Sequence, residues 1–488
     1  MSLPNIAAPP EVALGAPANP VRQAMETRKA PAESYWRKLV PRSLPQIFLL
    51  ALVVLVASLQ LRYLLSVRAA MPLQDDWSFL DKMFRAFDRH EVAAWVFDST
   101  NGHFVVPGAL ASLASWRYFS LDLTALRLLN FPICLAAFFL AAHVINANVQ
   151  RRFLRFYLYA GAAFIIFNLC FWEHFAQANG FSAMLCVLCG SIGIYYVSKA
   201  TLLSAPWKSS TFFIGLVFLL ISVFSLGAGY AAVMAGACLV GFTCLERMSV
   251  FWRTPRYNRI VLGVVCAVAA LVVVSHPALS FSSRIVKAAF HTVLVAGSLG
   301  SASLDKGTNL AQNVAFASGL AFVVVTLWIC FHFLVKRRPS VRPLPVFSMG
   351  LILFGFLGCV AVAIARAYLP TAEFLNSRYT PYPSLILLGT LLYFAGSRLF
   401  LLANVWCFAA AAYLLASVRE DQLGFFRAQL YQRMTTAISN ADSLSDEQLK
   451  TSLYWRENPK GVRRVITRMR RDQVNVFRGG AGGSNSVP

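Results

Sequence analysis

Only 21 of the 488 residues are acidic, yet two of them stand side by side in LQDDWSFL, residues 73–80, as Asp75 and Asp76. A carboxylate within hydrogen-bond reach of a hydroxyl can act as its general base. Two adjacent carboxylates raise one another's pKa, which suits base chemistry near neutral pH. The plainer alternative is an Asp pair that caps a helix beginning at Trp77. Other scarce polar residues recur in short runs: NGHF at 101–104, FWEHFAQANGF at 171–181, SHP at 275–277 and NSRYTPYP at 376–383. Arg378 offers paired donors suited to a phosphate, or a snorkelling helix end. Arg284 and Lys287, three residues apart, could join such a clamp or stay solvated. His103 is a candidate phosphate ligand and His174 a candidate substrate ligand, each against the reading of a structural hydrogen-bonder. Glu173, as a boundary acid, is a candidate for orienting substrate hydroxyls. Asn179 and Gln177 suit sugar hydroxyls or a helix cap, and Tyr379 is a further candidate substrate contact.

These residues need elements to hold them, and composition says what kind. The chain is 58% hydrophobic and 13% charged, with a mean hydropathy of +0.59, more apolar surface than a soluble fold hides. An all-α polytopic membrane protein follows. About 20 apolar residues span a bilayer, and candidates lie near 46–66, 124–147, 153–171, 181–198, 210–227, 229–245, 260–275, 312–335, 345–367, 382–396 and 399–417, eleven stretches in all. Residues 1–44 read as a disordered cytoplasmic tail, 45–417 as the transmembrane domain and 418–488 as an amphipathic tail on the outer side. The net charge of +23 falls in short clusters between apolar runs, a mark of topology rather than of nucleic-acid binding.

With the N-terminus inside, every internal turn is basic: Arg151, Arg152 and Arg155; Lys199 and Lys208; Arg247 to Arg259; Lys336 to Arg342; Arg398. The polar runs then all fall on the outer face. Loop 67–123 is expected to carry two interfacial helices, one with Trp77, Leu80, Phe84, Phe87 and Val92 on its apolar side and one starting near Pro107. The tail stretch SDEQLKTSLYWRENPKGVRRVITRMRRD reads as one or two helices basic enough to lie on anionic lipid. The ten cysteines all lie in apolar stretches, as small buried hydrophobes do.

The run QDDW, then N-x-H, then P-x-x-L, with NSRYTPYPSLIL late and YWRENPKGVRRVITRMRRDQVNVF in the tail, resembles bacterial GT-C-like polytopic proteins. These are related to the GT-C superfamily of membrane glycosyltransferases, which includes protein O-mannosyltransferases and lipid A aminoarabinose transferases. The resemblance implies transfer of a sugar from a polyprenyl-phosphate donor to an envelope glycan or lipid acceptor, on the periplasmic face of a bacterial inner membrane. It gives the base role to Asp75 or Asp76, with Asp75 preferred; those families usually have a Glu in the pair where this chain has Asp-Asp-Trp. No GxxxxGK, HExxH or G-x-S-x-G motif occurs. No D-x-D lies in the internal loops, which favours a lipid-linked donor over a nucleotide-sugar. No cofactor and no obligatory metal are expected, since two adjacent carboxylates alone make a poor cage. A flippase for a lipid-linked sugar and a non-catalytic subunit of a polysaccharide-assembly complex are the other classes. A transporter calls for mid-helix charges and broken helices in two matching halves; here the helices are nearly free of acid in their middles and no internal repeat is seen.

Overall fold

A computed structural model describes residues 40–66, 71–73, 75–100, 103–203, 208–246, 281–301, 304, 307–335, 343–395, 431–453 and 458–478. In chain order its first helices are α1 (Leu44–Ser66), α2 (Asp75–Asp88) and α3 (Val92–Val96). A two-residue strand pair, β1 (Ser99–Thr100) and β2 (His103–Phe104), is antiparallel with Ser99 opposite Phe104 and Thr100 opposite His103. Next come α4 (Val106–Phe119), α5 (Thr124–Leu128), α6 (Asn130–Asn148), α7 (Arg152–Ile166), α8 (Trp172–Ala176) and α9 (Gly180–Thr201). They are followed by α10 (Ser210–Ser225), α11 (Gly229–Glu246), α12 (Phe281–Gly297), α13 (Asn309–Val335), α14 (Pro343–Ala365) and α15 (Pro381–Ala395). The tail contributes α16 (431–439), α17 (Asp446–Leu453) and α18 (Pro459–Arg471).

Six helical stretches among the described residues are long and apolar enough to cross a bilayer: Leu44–Ser66, Thr124–Asn148, Arg152–Ala176, Gly180–Thr201, Asn309–Phe333 and Pro343–Ala365. Three shorter apolar helices, Ser210–Ser225, Gly229–Phe242 and Pro381–Ala395, coincide with further expected spans. The expected spans 260–275 and 399–417, and the SHP motif, lie outside the described residues. Helix α12 was not expected; it runs along α13. Within the 18-residue apolar core of each stretch, 78% is buried in Arg152–Ala176 and in Gly180–Thr201, against 22% in Leu44–Ser66 and 28% in Asn309–Phe333. In those outer helices Phe48, Leu55, Leu327 and Phe331 are exposed. Such helices are stable only where lipid covers the apolar side that protein does not. The chain is thus a multi-pass membrane protein.

Close backbone approach holds the interior helices together. A Cβ on Gly389 of α15 would lie 2.7 Å from the Ser348 carbonyl oxygen of α14, so only glycine lets these two helices pack this tightly.

The described residues of 67–123 carry three helices, α2, α3 and α4, with Pro107 in the first turn of α4; α2 ends at Asp88, so Val92, expected on its apolar side, begins α3 instead. The apolar face of α2 is turned largely into protein: Trp77, Leu80 and Phe84 are buried. Its aromatic rings meet those of neighbouring elements, Phe79 against Trp95 and Phe84 and Phe87 against Trp116.

The tail stretch 445–472 holds α17 and α18, within the one or two helices its pattern implies, but the arginines of α18 face carboxylates of the chain itself. Arg463 pairs with Asp446, Arg464 with Asp81, Arg468 with Asp88 and Asp472, and Arg470 with Asp442. Val462, Val465, Ile466 and Met469 of α18 are buried.

Candidate functional site

The polar runs that stand far apart in sequence meet at one end of the bundle. The ends of α6, α7, α9 and α15 gather there with the start of α2. The contacts are Arg127 Nη2 to the Met71 carbonyl at 2.7 Å, Asn130 Nδ2 to the His174 carbonyl at 3.3 Å and Thr380 Oγ1 to the Cys170 carbonyl at 3.2 Å. At the other end lie the pairs His143 with Tyr195 and His332 with Tyr393.

The two neighbouring aspartates have different fates. Asp76 is 1% exposed and its carboxyl meets only donors. Oδ2 accepts the backbone N–H groups of Leu73 at 3.1 Å and Ala178 at 3.0 Å. Oδ1 accepts the Asn179 N–H at 3.3 Å and its Nδ2 at 3.4 Å. The Arg127 guanidinium is 3.9 Å away. Burial pushes the Asp76 carboxyl above the usual carboxylate range, and Arg127 and the N–H groups of Ala178, Leu73 and Asn179 oppose that rise. Asp76 thus ties the start of α2 to the loop before α9; the Leu73 N–H it accepts lies before the helix, so it does not make the N-cap bond of the structural alternative. It is a poor candidate for a base that must meet substrate.

Arg127 completes the tie. It is 1% exposed, its Nε donates to the Ala176 carbonyl at 2.5 Å, and with Met71 it joins three segments of chain. Directly after this loop the chain doubles back at Gly180. A Cβ there would collide with the His174 carbonyl, so glycine is required for α9 to begin where it does.

Asp75 is the accessible partner. Its side chain is 52% exposed, and Oδ2 lies 3.7 Å from Nη1 of Arg378. Arg378 is in turn ringed by carboxylates, with Nε 3.8 Å from Glu173 and Nη2 3.9 Å from Glu373. All three separations exceed hydrogen-bond length. Nε of Arg378 is buried without a hydrogen-bond partner. Three carboxylates thus face one guanidinium.

Glu173 and His174 are spent on the backbone of Arg378. Glu173 Oε2 accepts the Arg378 N–H at 3.1 Å, and His174 Nε2 lies 2.7 Å from the Arg378 carbonyl, which makes that nitrogen the protonated one. Both side chains are buried. Tyr379 is buried with its ring 5.7 Å from the Arg378 guanidinium. Burial raises its phenol above the usual value of 10.0, against the pull of Arg378 and Arg366, and so keeps the hydroxyl a donor. Asn179 is occupied by Asp76 through its nitrogens, while its Oδ1 is buried without a partner. Gln177 lies in the same loop and is half-buried.

The remaining candidates lie around this cluster. His103 is on β2 and Arg284 on α12; their side chains lie outside the described residues. Lys287 is exposed on α12. One turn further along that helix His291 stacks on Phe374, centroids 3.9 Å apart, which brings α12 beside the Thr371–Leu375 turn that carries Glu373. Among the described residues no group of three His, Cys, Asp or Glu side chains is placed to hold a metal ion. An apolar cleft of about 50 Å³ is lined by residues including Ile133, Ile166, Phe171, Met184, Pro381 and Leu388. Pro381 and Phe171 lie at its upper end, and Leu388 is about 10 Å further along α15.

Sequence reading missed Arg127 and Glu373. An arginine just inside an apolar run is costly in a membrane helix, which marks Arg127 in principle. Glu373 carries the signal of any acid five residues from Arg378 in an acid-poor chain. Compared with known proteins, the chain matches no family model, no curated protein and no solved structure, so the chemistry of this cluster must come from its own geometry.

Proposed function

We propose that the chain is a GT-C-type membrane glycosyltransferase that moves a sugar from a polyprenyl-phosphate donor to an envelope glycan or lipid acceptor. In this reading it has about eleven spans in a bacterial inner membrane, its N-terminus is cytoplasmic and the Asp75 face is periplasmic. The observation that carries the reading is the exposed Asp75 carboxylate, 3.7 Å from Arg378 at the end of an apolar bundle. A solvent-accessible carboxylate on a rigidly tied helix end is what proton removal from an acceptor hydroxyl needs.

The excess of carboxylates around Arg378 disfavours a second bare anion there and favours hydroxyl groups. Arg378 is therefore assigned to orienting Asp75 and sugar hydroxyls, and Glu173 and His174 to holding Arg378. The donor phosphate falls to Lys287 and Arg284 on α12, which adjoins the Glu373 turn.

The test is an envelope glycan and lipid profile of a deletion strain complemented with Asp75→Asn or Asp76→Asn, with protein levels matched. The reading expects Asp75→Asn to lack the same product as the deletion. A normal profile in Asp75→Asn, alongside a defect in the deletion, rejects Asp75 as the base.

A further inference from the structure

The tail helix α18 is packed on α2, the helix that begins with Asp75 and Asp76. Arg464 grips Asp81 with two prongs, Nε to Oδ1 and Nη2 to Oδ2, both at 2.9 Å. Asp81 is 3% exposed, and Arg85 is its other ion-pair partner. One turn along α18, Arg468 pairs with Asp88 at 2.5 Å. Its guanidinium lies 5.5 Å from the Phe84 ring and 5.8 Å from the Trp116 ring. Gly461 brings the backbone of α18 close: a Cβ there would lie 3.1 Å from Asp81 Oδ2.

Beyond α18, Asn475 secures the end of α4. Its N–H donates to the Ser120 carbonyl at 2.8 Å and its Nδ2 to the Leu121 carbonyl at 2.7 Å. Ser120 and Leu121 both have left-handed backbones, φ 52° and 58°, a conformation that costs a non-glycine residue about 1–2 kcal/mol and persists only where its surroundings hold it. The tail therefore grips loop 67–123 at two separate places.

Helical geometry shows what the grip on α2 does. At about 100° per residue, Asp81 and Asp88 share a face, while Asp76 projects about 140° away from Asp81. The tail holds the first face, and Arg127 with the 178–179 backbone holds the second. A helix pinned on two faces cannot roll about its axis, and Asp75 is carried on it. A carboxylate lies about 5–6 Å from the helix axis, so a roll of about 20° would carry it about 2 Å.

We propose that Arg464 is a positioning residue for Asp75: its two-pronged ion pair with buried Asp81 fixes the roll of α2 and so sets the reach of the Asp75 carboxylate. This inference rests on the base role assigned to Asp75 above. A lysine at 464 keeps the charge but offers one point of attachment in place of a planar fork.

The experiment uses the full chain with Arg464→Lys and Arg464→Ala. Three quantities are read: the thermal midpoint, amide hydrogen exchange of the 75–88 peptide in purified protein, and glycan product per protein in the complemented deletion strain. Arg464→Lys is expected to melt with the wild type, to exchange faster across 75–88 and to make about tenfold less product, since a displacement near 1 Å can cost that much or more. Arg464→Ala is expected to exceed it in both exchange and product loss. Wild-type exchange in both variants overturns the proposal, and so does faster exchange with undiminished product. Asp75→Asn in the same strain separates the two ideas: if it makes normal product, the base assignment fails, and exchange alone then decides whether the tail fixes α2.

Discussion

The division of labour between Asp75 and Asp76 is open to a direct stability test. Replacing Asp76 with alanine removes the acceptor for the backbone N–H groups of Leu73, Ala178 and Asn179 and the counter-charge 3.9 Å from Arg127. Asp76 is 1% exposed, so water does not readily replace it. Each buried donor left without an acceptor costs about 1–3 kcal/mol, and taking the low end for three of them gives a loss of about 3–5 kcal/mol with the Arg127 term. At about 2 °C per kcal/mol this lowers an apparent melting midpoint by about 6–10 °C. Asp75→Ala, at a half-exposed position with a loose partner, is expected to change stability by no more than about 0.5 kcal/mol. The assay is a thermal aggregation scan of detergent-extracted full-length protein at one fixed heating rate. Asp76→Asn is expected to fall between, because its amide oxygen still accepts. An Asp76→Ala protein that melts with the wild type would refute the role of Asp76 as a tie.

Acid titrates the same tie. Burial raises the native Asp76 carboxyl above its ordinary 3.8, so on acidification the folded chain binds this proton before the unfolded chain does. Between the raised value and 3.8 its contribution to stability therefore grows as pH falls and is lost as pH rises through the native value; a difference scan of wild type against Asp76→Asn should show that slope, and a flat difference would count against it. Arg378→Gln is expected to abolish product, and Arg378→Lys to restore little, because Nε, Nη1 and Nη2 each face a different carboxylate; full rescue by lysine would show that charge alone suffices. Gly389→Ala drives a methyl into the Ser348 carbonyl and is expected to cost about 1–3 kcal/mol by overpacking α14 against α15, read as a lower midpoint; an unchanged midpoint would mean these helices can separate.

Much of the fold is legible in residue order alone. Apolar runs mark nine helices among the described residues at their expected places, because span length is fixed by the bilayer and not by tertiary context. The gathering of Asp75, Glu173, His174 and Arg378 follows from which ends of those runs share a face. The partition of their roles does not. Asp75 and Asp76 are chemically identical neighbours, and a helix turns about 100° between them, so one meets the 178–179 backbone and the other meets solvent. Nor does a pattern reveal that Glu173 and His174 grip the amide and carbonyl of Arg378, since that contact crosses about two hundred residues of chain. Basic composition points the tail towards lipid. It cannot show that the spacing of Arg464 and Arg468 matches that of Asp81 and Asp88, because charge counts ignore register across an interface.

The arrangement also explains why so few acids serve so many purposes in this chain. At the end of an apolar bundle an isolated charge is expensive, and each carboxylate is tolerated where donors or cations have been gathered for it. Asp76 has its donors and Arg127, Asp81 has Arg464 and Arg85, and Glu173 has the Arg378 amide. Asp75 is the carboxylate we propose for chemistry, because it is half-exposed and its one charged partner among the described residues lies beyond hydrogen-bond length. A base must exchange its proton with an incoming group, and a carboxylate saturated with donors cannot do so without breaking the fold. The buried acids supply rigidity, and the loosely held one, carried on the helix they fix, is left the freedom to react.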